Sequence, residues 1–230
     1  KPIEKPKHLF RGGFSQQSLD EMRLTYDEYI LFVDHEFGRV LDSLEESGVL
    51  DNTYVIFTAD HGELFERSIQ GHGKLVLFQP VTNIPLLISA PGQQTRNDVH
   101  AYTSAVDVIP TLLNIANRPI PDWLEGKVMP PFSGKELSDE RAVFCLEARN
   151  NPSHDVPIIE ATAMIVKNKY KLVKYFGYEE LTSGEALFEL FDLENDPEEL
   201  EDLAPSKPQI LNSLREELEE RLLKADQPYL

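Results

Sequence analysis

Cysteine is almost missing from this chain: Cys145 is the one thiol in 230 residues. A single thiol excludes an internal disulfide and any multi-cysteine zinc site. Positive charge is scarce too, with 22 Lys and Arg against 40 Asp and Glu and a formal net charge of −18. Neutralising nucleic-acid phosphates takes clustered basic side chains, so no nucleic acid is expected as a partner. The same shortage argues against docking on anionic lipid. Long apolar runs are lacking as well. No stretch approaches the roughly 20 apolar residues that span a bilayer, so no membrane span is expected. Residues 1–7 (Lys-Pro-Ile-Glu-Lys-Pro-Lys) have no apolar core of the kind a secretory signal carries, which leaves the compartment open. What the chain does have is a 41% apolar share with 12 Phe and 8 Tyr, enough for a sizeable core and against global disorder. The length fits one large domain, or one and a half.

Apolar residues recur at helical spacing over residues 26–44: Ile30, Val33, Phe37, Val40 or Leu41, and Leu44, with Gly48 as a stop. Tyr54-Val55-Ile56-Phe57-Thr58 follows, a short run of β-formers without alternation, which predicts a strand covered on both faces of a parallel sheet. A second such run over 84–89 ends at Pro91-Gly92, and another helical pattern spans 104–116 with Pro110 near its start. Helix, buried strand, loop, strand, helix is the order of an α/β layer protein. After Arg118 four prolines punctuate a loop-like passage, and beyond Ser133 four strands are predicted at 142–148, 161–166, 170–176 and 186–193. Lys167-Asn168-Lys169 reads as a hairpin turn. A final helix over 207–224 has Ser206 as its cap and Leu211, Leu214, Leu218 and Leu222 as its apolar stripe.

Chemistry is expected at Thr58-Ala59-Asp60-His61-Gly62-Glu63, because ligands in open α/β sheets collect at the carboxyl ends of strands. Asp60 and His61 offer a carboxylate oxygen beside an imidazole nitrogen, a pairing suited to a divalent cation. Read without function, Asp60 caps a following helix and His61 is a solvated side chain. The loop Gly71-His72-Gly73-Lys74 carries two potential cations. A sulfate or phosphate ester develops negative charge on its leaving oxygen, which a Lys or His can stabilise or protonate. The plain alternative is a polar surface loop.

Several segments taken in order resemble the second half of a sulfatase catalytic domain, in the alkaline phosphatase superfamily. They are residues 33–41 (VDHEFGRVL), 51–63 (DNTYVIFTADHGE), Gly73-Lys74 with Ile84-Pro85-Leu86 after it, 105–113 (AVDVIPTLL), 169–173 (KYKLV) and 187–199 (LFELFDLENDPEE). The resemblance implies an α/β fold. A mixed, mostly parallel sheet flanked by helices would occupy residues 1–132, and a small antiparallel sheet with a helix would occupy 133–230. It implies metal-assisted hydrolysis of sulfate esters, with Asp60 and His61 as metal ligands. The cation would be calcium, or manganese or zinc given the Asp-His pair. Lys74, eleven residues before Pro85, matches the family's substrate-contacting lysine. His72 competes for that role. Asp-His at this position is usual in relatives that hydrolyse phosphate and phosphonate esters, so those esters form the alternative substrate class. A non-catalytic folded module is a third reading.

The family's nucleophile is a formylglycine made in a Cys-x-Pro/Ala-x-Arg motif. Cys145-Leu146-Glu147-Ala148-Arg149 has Glu147 at the third place, so Cys145 reads as a structural thiol. The expected partners are therefore a small anionic ester and an N-terminal segment of the same catalytic domain. Residues 185–220 carry 13 acidic and two basic side chains, a net −11 that is more than half of the total charge. The acidity is thus remote in sequence from the candidate site and does not argue against an anionic substrate.

Overall fold

The computed structural model describes residues 5–10, 12–72, 75–134, 141–148, 156–181 and 184–227. The chain divides into two compact units. One comprises residues 1–74 and 80–97, the other 75–79 and 98–230.

The first unit opens with helix α1 (Gln16–Glu46), ten residues longer at its start than the apolar periodicity predicts. Polar helix formers fill that extra stretch. Ser15 caps it by accepting a hydrogen bond from the Ser18 amide, and Gly48, in the left-handed region at φ 69°, closes the other end. Strand β1 (Val55–Thr58) follows the helix. A hairpin of β2 (Leu64–Glu66) and β3 (Ile69–Gly71) comes next. The short helix α2 (Gln79–Thr82) and strand β4 (Leu86–Ser89) complete the order. Tyr26 of α1 packs on Phe65 of β2, and Phe37 packs on Phe57 of β1, with ring centroids 5.4 and 5.1 Å apart. Leu19, Leu64 and Ile69 are fully buried.

Where the apolar runs predict parallel neighbours, β1 and β4 pair antiparallel, from Val55 opposite Ser89 to Thr58 opposite Leu86. Neither strand is covered on both faces; Leu87 of β4 is 60% exposed. A row on α1 is also open to solvent: Tyr29, Ile30, Leu31, Phe32, Val33 and Val40 are each more than half exposed. The apolar character that signalled burial is present, but these residues have no such cover within this unit.

The second unit contains helix α3 (Val108–Ile115), entered through a tight turn at Ala105–Asp107. Asp107 starts this helix as expected, in a capping box with Ser104. It is also fully buried, and its carboxylate accepts from the amides of Ser104 and Lys127 and from the Arg141 guanidinium at 2.7–2.8 Å. Four strands then form an antiparallel meander in the order β5 (Val143–Glu147), β6 (Ala161–Lys167), β7 (Tyr170–Phe176) and β8 (Ala186–Asp192). Asn168, at φ 53°, makes the expected turn between β6 and β7. Helix α4 (Pro208–Asp226) lays Leu214 and Leu218 on one sheet face against Ala163, Ile165, Leu172 and Leu190. It is flanked by Lys207 rather than by the expected Ser206 cap, because Pro208 opens the helix with its φ already set. Ser206 instead donates to the Leu203 carbonyl. Cys145 is half-buried in β5, and burial pushes its thiol pKa up, consistent with a structural role. Among the described residues no helix is long and apolar enough to cross a membrane.

The opposite sheet face is covered by residues 75–79. Thr162 donates to the Leu75 carbonyl at 2.6 Å, and Phe78 meets Phe191 edge-on at 6.1 Å. Lys171 and Glu199 form a 2.7 Å ion pair whose side chains are both fully buried. Burial pushes the Lys171 ammonium pKa down, against the opposing pull of the Glu199 charge. Glu199 lies in the acidic stretch 185–220, yet it turns inward and is buried.

Asp192, at the end of β8, is pushed up by burial. Hydrogen bonds from Lys169 and Asn195 outweigh this and bring its pKa down to about 2 from 3.8. A depressed carboxylate pKa stabilises the fold above the unfolded value, and that stabilisation is lost as pH falls through the folded one. Asp192→Asn should therefore lower the melting temperature at pH 7. In paired melts the difference from the parent should shrink between pH 4 and pH 2, while a constant difference would refute the linkage.

Candidate functional site

The first unit gathers its titratable groups at the end of β1 and on the β2–β3 hairpin. The chain leaves β1 through Asp60 and His61 and enters β2 at Leu64 without any helix, so the capping role for Asp60 is ruled out. Arg67 and Ser68 form the two-residue turn at φ 56° and 64°, which a primed hairpin turn requires. The resulting register sets Leu64 opposite Gly71. Glu63 and His72 flank that pair and come together as a consequence.

Glu63 Oε2 accepts from His72 Nδ1 at 2.7 Å, and Oε1 accepts from Gln70 Nε2 at 3.0 Å. The His61 ring stacks on the His72 ring, centroids 3.8 Å apart and 25° from coplanar. His61 Nδ1 lies 3.0 Å from the Gly62 carbonyl. A carbonyl only accepts, so this nitrogen is the donor. Asp60 is largely exposed. Its Oδ1 accepts from the His61 amide at 2.8 Å and its Oδ2 lies 3.5 Å from His61 Nε2. That amide, and then the His61 charge, hold the Asp60 carboxyl below its usual range.

His61, Glu63 and His72 each offer one ligand atom, all within 4.8 Å of one another, which makes them a possible divalent-metal site. The donor chemistry fits. In both histidines the Nδ1 is engaged by an oxygen acceptor, the arrangement that orients a metal-binding imidazole and leaves Nε2 to ligate. Of the residues expected from sequence, Asp60, His61 and His72 are brought together, and Lys74 lies outside the described residues. Glu63 was given no role by sequence reasoning. Its nine-residue separation from His72 across a two-residue turn is the signal that could have found it.

Gly62 is fixed by contact. Its amide donates to the Val81 carbonyl at 2.9 Å, and a Cβ placed on it would lie 1.9 Å from the Pro80 carbonyl oxygen. Gly38, inside α1, has nothing within 4 Å of such a Cβ. Gly38→Ala should therefore raise the melting temperature, by the equivalent of about 0.5–1 kcal/mol. Gly62→Ala should lower it and shift the ring signals of His61 and His72 in NMR spectra. Equal effects of the two substitutions would contradict this packing.

The sulfatase family profile matches residues 4–118, and the profile for the C-terminal part of N-sulphoglucosamine sulphohydrolase matches residues 71–227. Arylsulfatase K of Bos taurus is 32% identical over 209 residues, covering 90% of this chain and 38% of the relative. The Homo sapiens arylsulfatase K is 30% identical over the same coverage. The chain thus spans about 38% of the length of these relatives. Among solved structures, a phosphonate monoester hydrolase of Agrobacterium radiobacter superposes with a TM-score of 0.71 at 26% identity, over 94% of this chain and 43% of that one. A 2-O GAG sulfatase superposes with a TM-score of 0.76 at 21% identity, over 100% of this chain and 54% of that one, a likeness of fold. Two profiles that each span half the chain or more, together with these relatives, establish that the chain belongs to the sulfatase family.

Proposed function

We propose that this chain supplies the metal-binding and leaving-group side of a sulfatase that hydrolyses sulfate esters of small molecules. The observation that carries the reading is the cluster of His61, Glu63 and His72, with Asp60 next to His61 at the exit of β1, in a chain of the sulfatase family. Asp60 and His61 would hold the divalent cation, with Glu63 in reach. A mixed nitrogen and oxygen donor set favours zinc or manganese over calcium, which prefers oxygen alone. When bound, the cation supplies Lewis-acid polarisation of the ester's oxygens.

The chain's own residues do the rest. Glu63 and Gln70 fix the His72 ring with Nδ1 occupied, so that Nε2 is the atom presented to the leaving oxygen. Lys74 contributes fixed positive charge to the same oxygen, and together they favour the charge that develops as the ester bond breaks. No Cys-x-Pro/Ala-x-Arg motif occurs in the 230 residues, so the attacking group comes from the N-terminal segment of the same catalytic domain. That segment would also cover the exposed apolar row on α1.

A second reading, hydrolysis of phosphate or phosphonate monoesters, is favoured by His61 and by the 26% identity to a phosphonate monoester hydrolase. Parallel assays of an aryl sulfate, a phosphodiester and a phosphonate monoester by the complete protein separate the two. Fastest turnover of the sulfate supports the first reading, and fastest turnover of the phosphonate replaces it.

The residue roles are tested by calorimetric titration of the chain with Zn²⁺ and Mn²⁺. Asp60→Asn and His61→Ala should each weaken binding by about 10–100-fold. Binding should be unaffected by His35→Ala, on the exposed surface of α1. His72→Ala should slow ester hydrolysis by the complete protein. Full-affinity binding by Asp60→Asn would remove that residue from the ligand set.

A further inference from the structure

We propose that the chain ahead of α1 is a clasp on the β2–β3 hairpin, with Lys5 a positioning residue for Glu63, His72 and His61. The inference rests on the site reading above, since those three residues are the ones it places. Every group in it belongs to the first unit.

The hairpin is three pairs long, from Leu64 opposite Gly71 to Glu66 opposite Ile69. A two-stranded hairpin is marginal in water by itself, and this one turns through two non-glycine residues at positive φ, Arg67 and Ser68. Such backbone persists where its surroundings over-determine it. Here the surroundings come from the chain before α1. Lys5 Nζ pairs with Glu66 Oε2 at 2.8 Å, and the two side chains are only 6% and 15% exposed. The Phe14 amide donates to the Ser68 carbonyl at 3.2 Å, and a Cβ on Gly12 would lie 3.1 Å from that same oxygen. Glu66 Oε1 also faces Arg67 Nε at 3.4 Å, but that pair joins chain neighbours and cannot anchor the tip.

The fastening is at the tip of the hairpin and the candidate site is at its open end. Glu63 and His72 stand one position beyond the Leu64–Gly71 pair, and Gln70, which donates to Glu63, stands opposite Phe65. In a hairpin a slip of one residue turns every side chain to the other face. It would take the Glu63 carboxylate from His72 Nδ1, and the His72 ring from its stack on His61. Tyr26 packs on Phe65, an apolar contact that tolerates sliding. The Lys5–Glu66 pair does not, because a buried charge moved off its partner is left uncompensated.

Lys5→Met keeps most of the apolar stem and removes the ammonium, while Arg67 still faces the Glu66 carboxylate. Amide hydrogen exchange and NMR of the chain read the outcome, with the β1 amides as internal reference. The β2 and β3 amides should exchange about tenfold faster than in the parent, the β1 amides at the parental rate, and the His61 and His72 ring signals should shift. Lys5→Arg, which keeps the pair, should restore both readouts. Equal acceleration of β1 and the hairpin would mean general destabilisation and overturn the proposal, as would parental exchange throughout. Parental histidine signals beside a loosened hairpin overturn it too, since the clasp would then serve the fold alone. If Lys5→Met does not fold, Glu66→Gln takes its place, keeping side-chain shape and removing the charge, with the same outcomes deciding. None of these readouts involves ester hydrolysis. Absent turnover with the hairpin loosened as expected would fault the sulfatase reading and leave the clasp standing.

Discussion

Two opposite charges with no exposed surface, Lys171 and Glu199, set the terms on which the second unit is built. Charges taken out of water must find each other and must also satisfy their remaining donors and acceptors. Strand β7 therefore presents a lysine on a face otherwise formed by Val173 and Tyr175, both fully buried, and the turn after β8 folds Glu199 inward toward it. The residual polarity is absorbed by the main chain of residues 75–79, which covers this face of the sheet as α4 covers the other. The meander is closed on both sides, on one by leucines and on the other by a stretch of backbone. Asp107 applies the same logic elsewhere in the unit, where one buried carboxylate ties together residues 104, 127 and 141.

The first unit is organised differently. Its candidate site groups are held by short-range geometry: a strand end, a glycine with no room for a side chain, and a hairpin whose turn residues both take positive φ. The stacking of His61 on His72 and the Glu63 carboxylate behind His72 follow from that register alone. Each imidazole has its Nδ1 engaged by an oxygen, so both rings are oriented by the protein before any ligand arrives.

Most elements were legible in the sequence because periodicity and β-formers report burial directly: β1, β4, the meander and the stripe on α4 all follow from it. Strand direction in the first unit was not legible. Apolar runs without alternation say that both faces are greasy, and β1 and β4 are greasy on both faces, yet they pair antiparallel. The start of α1 was missed since residues 16–25 are helical through capping and propensity, with little apolar period. The β2–β3 hairpin was hidden because Arg67-Ser68 is not a glycine-containing turn signal. Missing that hairpin also hid Glu63, whose partner His72 lies nine residues on. Glu199 was masked by its neighbours, because in a run of acids nothing local marks the one that turns inward.

Asp60, His61, Glu63, Gln70 and His72 all come from thirteen consecutive residues. The candidate metal donors of this chain are therefore contiguous in the gene, while the packing that supports them is spread more widely. A short segment exchange can rewrite the donor set without reworking a core. Within one scaffold, metal preference and ester preference can diverge by changes confined to one strand exit and one hairpin.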